Sequence, residues 1–174
     1  MTYLFPTATT SSLGLVQAGT NISIDAAGVI STTGSGSSTV GTWTPTISVS
    51  SPGTITLLVN AARYSKSGQQ VVCYFDFTVA TYTGGNPTNL LTLNGLPFAS
   101  IAGTGIAGSL IVTYFEGLNN NETYITGTVA SSSTSVLLWD QHQQADSQRL
   151  TYADMQLTPA PTRLVGTITY LSAS

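Results

Sequence analysis

Between Val71 and Val79 the odd positions are Val71, Cys73, Phe75, Phe77 and Val79, while the even positions include Tyr74, Asp76 and Thr78. A repeat of two sends successive side chains to opposite sides of a strand, so this stretch predicts a strand with one strongly apolar face and one mixed face. Arg63-Tyr64-Ser65-Lys66 precedes it as a partner strand, with Ser67-Gly68 at the bend. Beyond it Gly84-Gly85-Asn86-Pro87 breaks the strand, Leu91 and Leu93 resume the alternation, and Asn94-Gly95 turns the chain again. Residues 61–98 therefore predict a β-meander with one buried face, and nothing in them suggests catalysis.

The same pattern recurs on both sides of this frame. Trp43-Thr44-Pro45 opens a strand through Ile47 and Val49, Ser51-Pro52-Gly53 turns it, and Ile55, Leu57 and Val59 form the next. Later alternating pieces are Leu110/Val112/Tyr114, Ile125/Gly127/Val129, Val136 to Trp139 and Val165 to Leu171. No segment sustains a helical period, and residues 140–148 are polar throughout, as in a long exposed loop. Many short strands with frequent turns predict an all-β fold: an antiparallel β-sandwich or jelly-roll-like head over residues 41–174.

Ahead of the head lie three shorter pieces. Residues 33–40, rich in Gly and Ser, form a flexible linker. In residues 9–32, Leu13, Val16, Ile22, Ile24, Val29 and Ile30 are separated by Gly14, Gly19 and Gly28. Two or three tiny strands cannot build a core alone, so this short β stalk needs a partner, most simply another copy of the chain. Folding back on its own head is the alternative. Residues 1–8 carry Tyr3, Leu4 and Phe5, side chains costly to leave in water, which favours an anchoring peptide over a frayed end.

Composition narrows the partners. Charged residues make up only 6% of the chain, against about 25% in an ordinary domain, so Ser, Thr, Asn, Gln and Gly must build the surface. With four Lys plus Arg and a net charge of −3 there is no basic patch for a phosphate backbone, which argues against nucleic acid and anionic membranes. The longest apolar stretch, near residues 106–115, is interrupted and too short to span a bilayer, so no membrane insertion is expected. The start of the chain has neither a basic region nor a long apolar run, so ordinary secretion is not expected. Cys73 is the only cysteine, which rules out an intrachain disulfide, and its inward phase predicts a buried apolar residue rather than a reactive thiol.

Three segments then carry a resemblance. Gly41-Thr42-Trp43-Thr44-Pro45-Thr46, Arg63-Tyr64-Ser65-Lys66-Ser67-Gly68 and Gly95-Leu96-Pro97-Phe98 together resemble the frame of a bacteriophage fibre head module of the cyanophage and marine-phage type. Leu150-Thr151-Tyr152-Ala153-Asp154-Met155 is similar to its late loop, and Gly166-Thr167-Ile168-Thr169-Tyr170-Leu171 to its closing strand. The likeness spans residues 41–171, with 99–149 matched by character only, and residues 9–32 resemble a short repeat of fibre stalks. Ser67 departs from the apolar residue usual there. The resemblance implies a homotrimeric virion surface protein assembled in the bacterial host cytoplasm, with Leu13, Val16, Ile22, Ile24, Val29 and Ile30 meeting their symmetry mates. It implies no catalytic residue. The stalk starts too early for a tail-attachment domain, so the chain caps another fibre protein or sits on the capsid through Tyr3, Leu4 and Phe5.

Candidate chemistry is sparse. Asp140, His142 and Asp146 are the closest cluster of metal-binding residue types, but a Gln-rich loop offers no rigid support, so no metal and no cofactor are expected. One His and one inward Cys do not assemble a nucleophilic triad. Carboxylate pairs could be drawn from Glu116, Glu122, Asp140 and Asp146, yet the long β-helical repeats that usually carry such glycosidases are missing. Sugar binding fits better: a ring supports the apolar face of a sugar while amides and carboxylates hold its hydroxyls. Trp139, Asp140, Gln141, His142 and Gln143 offer both, Tyr114, Phe115 and Tyr124 could add rings, and plain core is the competing role for Trp139. The glycosylation-type triplets at Asn21 and Asn121 are chance matches in a bacterially made protein. The expected function is a non-enzymatic phage surface protein, a short fibre or decoration protein whose head contacts the host surface through a glycan. Its rival is a capsid cement protein that recognises nothing.

Overall fold

The computed structural model describes residues 22–24, 30–32, 38–49, 53–103, 105–119, 122–142, 147–157 and 160–173. The chain divides into two units, residues 1–37 and 38–174. In the first, β1 (Ile22–Ile24) and β2 (Ile30–Thr32) pair antiparallel, with Ile24 opposite Ile30 and Ile22 opposite Thr32.

The second unit contains β3 (Ser38–Thr42), β4 (Thr46–Val49), β5 (Thr54–Ser67), β6 (Gln70–Thr83), β7 (Leu91–Asn94) and β8 (Ile106–Glu116). It continues with β9 (Glu122–Ala130), β10 (Ser135–His142), β11 (Gln148–Arg149), a single 3-10 turn (Tyr152–Asp154) and β12 (Arg163–Leu171). All its pairings are antiparallel and join in one sheet, in the order β3-β5-β6-β12-β8-β9-β10-β7-β4, with β11 attached to β10. The expected all-β, antiparallel class is what forms. The expected sandwich of separate sheets is replaced by one continuous sheet curled into a half-barrel that covers its own inner side.

Bulges bend the long strands enough to allow this. Register shifts leave Asn60 unmatched on β5, Ala80 unmatched on β6 and Thr113 unmatched on β8. Each shift also moves the inward phase by one residue. On β5 the inward residues are Ile55 and Leu57 before the shift and Ala62 and Tyr64 after it. The two short strands expected at 55–59 and 63–66 are thereby one 14-residue strand. Ser38, Thr39 and Val40, expected as the end of a linker, pair with Ser67, Lys66 and Ser65 and belong to β3.

The apolar face of the 71–79 stretch is the middle of the core. Val71, Cys73, Phe75 and Phe77 are fully buried, and the two Phe rings stack at 5.3 Å. Full burial of one such side chain contributes about 1.5–3 kcal/mol. Around them close Leu110, Ile125, Leu138, Leu164, Ile168 and Tyr170 from four other strands. Gly166 of β12 lies opposite Phe75, and a Cβ there would collide with the Phe75 ring and the Ile111 carbonyl oxygen, so glycine makes the space the ring fills.

The edges of the curled sheet are joined by Trp43-Thr44-Pro45, which carries the chain from β3 beside β5 to β4 beside β7. Trp43 still donates its backbone N–H to the Ala62 carbonyl at 3.4 Å, and its buried indole N–H donates to the Tyr74 carbonyl at 3.1 Å. Pro45 has no N–H to continue the ladder along β5, so the chain leaves that strand there.

Candidate binding face

The opposite side of the same sheet is open. Phase fixes its residues: Tyr74 on β6, Thr167 on β12, Ile111 on β8, Thr126 on β9 and Trp139 on β10 form one row across five strands. A second row runs through Asp76, Val165 and Tyr114, and on β9 and β10 Tyr124 stands opposite Gln141. Tyr74, Ile111, Tyr114 and Tyr124 keep 40–48% of their surface exposed, a large apolar presentation outside a sealed core.

Two opposite charges on this face hold each other. Arg163 grips Asp76 with two hydrogen bonds, Nε to Oδ1 at 3.0 Å and Nη2 to Oδ2 at 2.9 Å, while Asn60 Nδ2 donates to the same Oδ1 at 3.1 Å. The Arg163 bond holds the Asp76 carboxyl below its ordinary pKa, with the Asn60 bond adding to the effect. The Arg163 guanidinium also lies 5.6 Å from the centre of the Tyr114 ring. Tyr114 donates its hydroxyl to Glu116 at 2.7 Å, and that carboxylate pushes the phenol pKa up. Tyr114 is thus fixed at two points, which lowers the entropy lost when something binds against it.

The predicted sugar cluster is divided by strand alternation. Residues 140–142, expected in a loop, extend β10, and β11 folds back so that Trp139 pairs with Arg149 and Asp140 with Gln148. Asp140 points into the core side and is 2% exposed, whereas Trp139 and Gln141 share the outer face. His142 ends β10, and Gln143 lies outside the described residues. Trp139 is neither core nor an open platform. Arg149 lies over its ring at 5.4 Å, Thr128 Oγ1 accepts its indole N–H at 3.2 Å, and Arg149 is itself tied to the Leu138 and Leu91 carbonyls. Of the further rings, Tyr114 and Tyr124 face outward and Phe115 packs against the core.

Of the predicted stalk contacts, Ile22, Ile24 and Ile30 lie on the β1–β2 pair, while Leu13, Val16 and Val29 lie outside the described residues. The anchor residues Tyr3, Leu4 and Phe5 lie outside them as well.

The three segments that carry the sequence resemblance meet at one corner of the fold. The Tyr64 ring occupies the space a Cβ on Gly41 would need, and it meets Phe98 edge-on at 5.3 Å. Lys66 Nζ stands 4.8 Å from the centre of the Phe98 ring. Tyr170 donates its hydroxyl to the Phe98 carbonyl at 3.0 Å. Gly95 has φ +92° and sits against the Thr44 carbonyl oxygen, where no side chain fits. The 150–155 segment lies along β7, with Leu91 N–H donating to the Leu150 carbonyl at 2.9 Å. These residues fasten the closing segment, residues 43–45, to the rest of the sheet.

Burial pushes the Cys73 thiol up to about 12, so it holds almost no thiolate. Of the carboxylates considered as an acid/base pair, Glu116 and Asp140 lie on opposite sides of the sheet, Glu122 begins β9 with its side chain outside the description, and Asp146 lies outside the described residues. Among the described residues no group of three His, Cys, Asp or Glu could hold a metal.

Sequence reasoning missed the pairing of Asp76 with Arg163, separated by 87 positions, and the capping of Trp139 by Arg149. The one available signal was the scatter of Tyr74, Ile111 and Tyr124 among the nominally polar positions of otherwise regular strands. No protein family, no curated protein and no solved structure matches this chain.

Proposed function

We propose that this chain is a non-enzymatic surface protein of a phage particle, a homotrimeric short fibre or decoration protein whose head contacts the host surface. One observation carries the attachment role: the outer side of the sheet presents Tyr74, Ile111, Tyr114 and Tyr124 to solvent around an Asp76–Arg163 pair. A sheet already sealed by its inner core gains nothing from such a face in water, so the face serves contact with something else. The described reactive groups point the same way, since the single thiol is buried and Glu116 and Asp140 lie on opposite sides of the sheet.

In this reading residues 9–32 form the trimeric stalk and Tyr3, Leu4 and Phe5 hold the chain to the capsid or to another fibre protein. The sequence resemblance supports the trimer and the virion location. Competition tests the function: purified full-length protein, at saturating concentration, should block adsorption of the phage that encodes it. Unimpeded adsorption removes host attachment and leaves capsid cement as the role. Antibody labelling of intact particles should place the chain on their surface, and light scattering should give three times the chain mass.

A further inference from the structure

We infer that the outer face binds a neutral, hydroxyl-rich glycan at a site built from Tyr114, Tyr124, Gln141 and Glu116. This inference rests on the attachment reading and supplies the ligand chemistry for it. Tyr114 and Tyr124 stand on the neighbouring strands β8 and β9 and are 45% and 46% exposed. Both lie beyond the Ile111–Thr126 pair at which the β8–β9 ladder ends, at the same end of the sheet. Two exposed rings at one end of the same sheet face match the apolar faces of pyranoses better than a compact side chain in a pocket.

Hydrogen-bonding groups border the rings. Gln141 is exposed directly opposite Tyr124, and the Glu116 carboxylate already accepts the Tyr114 hydroxyl while keeping lone pairs for a sugar hydroxyl. Arg163, the nearby cation, is held by Asp76 and lies opposite Glu116, so the local sum of two carboxylates and one guanidinium is negative. That balance disfavours uronic and sialic acids and leaves neutral sugars as the fit. Trp139 takes no stacking role, because Arg149 already covers its ring.

The test is binding of the full-length protein to an immobilised panel of neutral gluco-, galacto- and manno-oligosaccharides beside uronic-acid and sialylated ones. Saturable binding to a neutral member is expected, with Tyr124→Ala weakening it tenfold or more at an unchanged unfolding midpoint. Tyr114→Phe, which keeps the ring and frees Glu116, should cost less than Tyr114→Ala. Binding confined to acidic sugars, or native-like binding by Tyr124→Ala, overturns the site. So does a changed sedimentation mass for Tyr124→Ala, which would make the face a contact between copies. Adsorption competition separates this inference from the attachment reading. Competition without glycan binding overturns the ligand class alone, while glycan binding without competition keeps the site and removes host attachment.

Discussion

The two sides of the β6–β12–β8 sheet are made from the same strands, yet they obey different constraints. On the inner side Phe75, Phe77, Leu110 and Ile168 are fully buried, and a glycine stands where a ring needs space. On the outer side Tyr74, Ile111 and Tyr114 are also large but remain nearly half exposed, set among threonines and a paired Asp76–Arg163. The difference separates what the fold requires from what it merely carries. Inner side chains are fixed by volume, whereas outer ones are free to be chosen for what they touch.

The sharpest way to break this comparison is through Cys73. With its pKa pushed up to about 12, the thiolate fraction at pH 8 is on the order of a thousandfold below that of a free cysteine. Iodoacetamide should therefore leave the folded protein unlabelled and modify it promptly in denaturant, as mass spectrometry would report. Rapid labelling of the native protein would mean the inner side is not sealed.

Substitutions then scale with side. Phe75→Ala should cost about 3–5 kcal/mol in urea unfolding, from lost burial and the cavity left beside Gly166. Gly95→Ala should cost roughly 1–3 kcal/mol for its backbone conformation alone, with its collision against Thr44 adding to that. Gly68→Ala, also at positive φ but with open space around it, isolates the conformational part. Equal losses at the two glycines would count against Gly95 as the point where the closing segment is fastened.

The Asp76–Arg163 pair predicts a smaller, pH-dependent effect. The folded carboxyl has a lowered pKa, so its stabilisation is complete above the ordinary carboxylate value of about 4 and is lost as pH falls through the lower folded value. Asp76→Asn should be at most about 1 kcal/mol less stable near neutrality, and the gap should close in acid. A gap that widened on acidification would reverse the assigned sign. Smallest of all, Ile111→Thr and Tyr74→Thr should shift unfolding by no more than about 0.5 kcal/mol.

Much of the inner side was legible because strand alternation leaves a direct mark: Val71 to Val79 all point as their period requires. The bulges at Asn60, Ala80 and Thr113 left no such mark, because an extra residue in a strand has no characteristic side chain. Without them the strands appear short and separable, which is why two layered sheets were expected where one curled sheet forms. The candidate site was half legible. Tyr114, Tyr124, Trp139 and Gln141 are recognisable by residue type, but only the β10 register shows that Asp140 turns inward. Arg149 is distant enough in sequence that nothing there links it to the Trp139 ring.

Ile111→Asp tests the division between the two sides most directly. It places a charge in the centre of the outer row, between Thr167 and Thr126, without touching the core. Purified full-length Ile111→Asp protein should unfold within about 0.5 kcal/mol of the native chain and yet fail to compete with phage adsorption at concentrations where the native chain blocks it. Competition equal to the native protein's would contradict the claim that this face makes the contact.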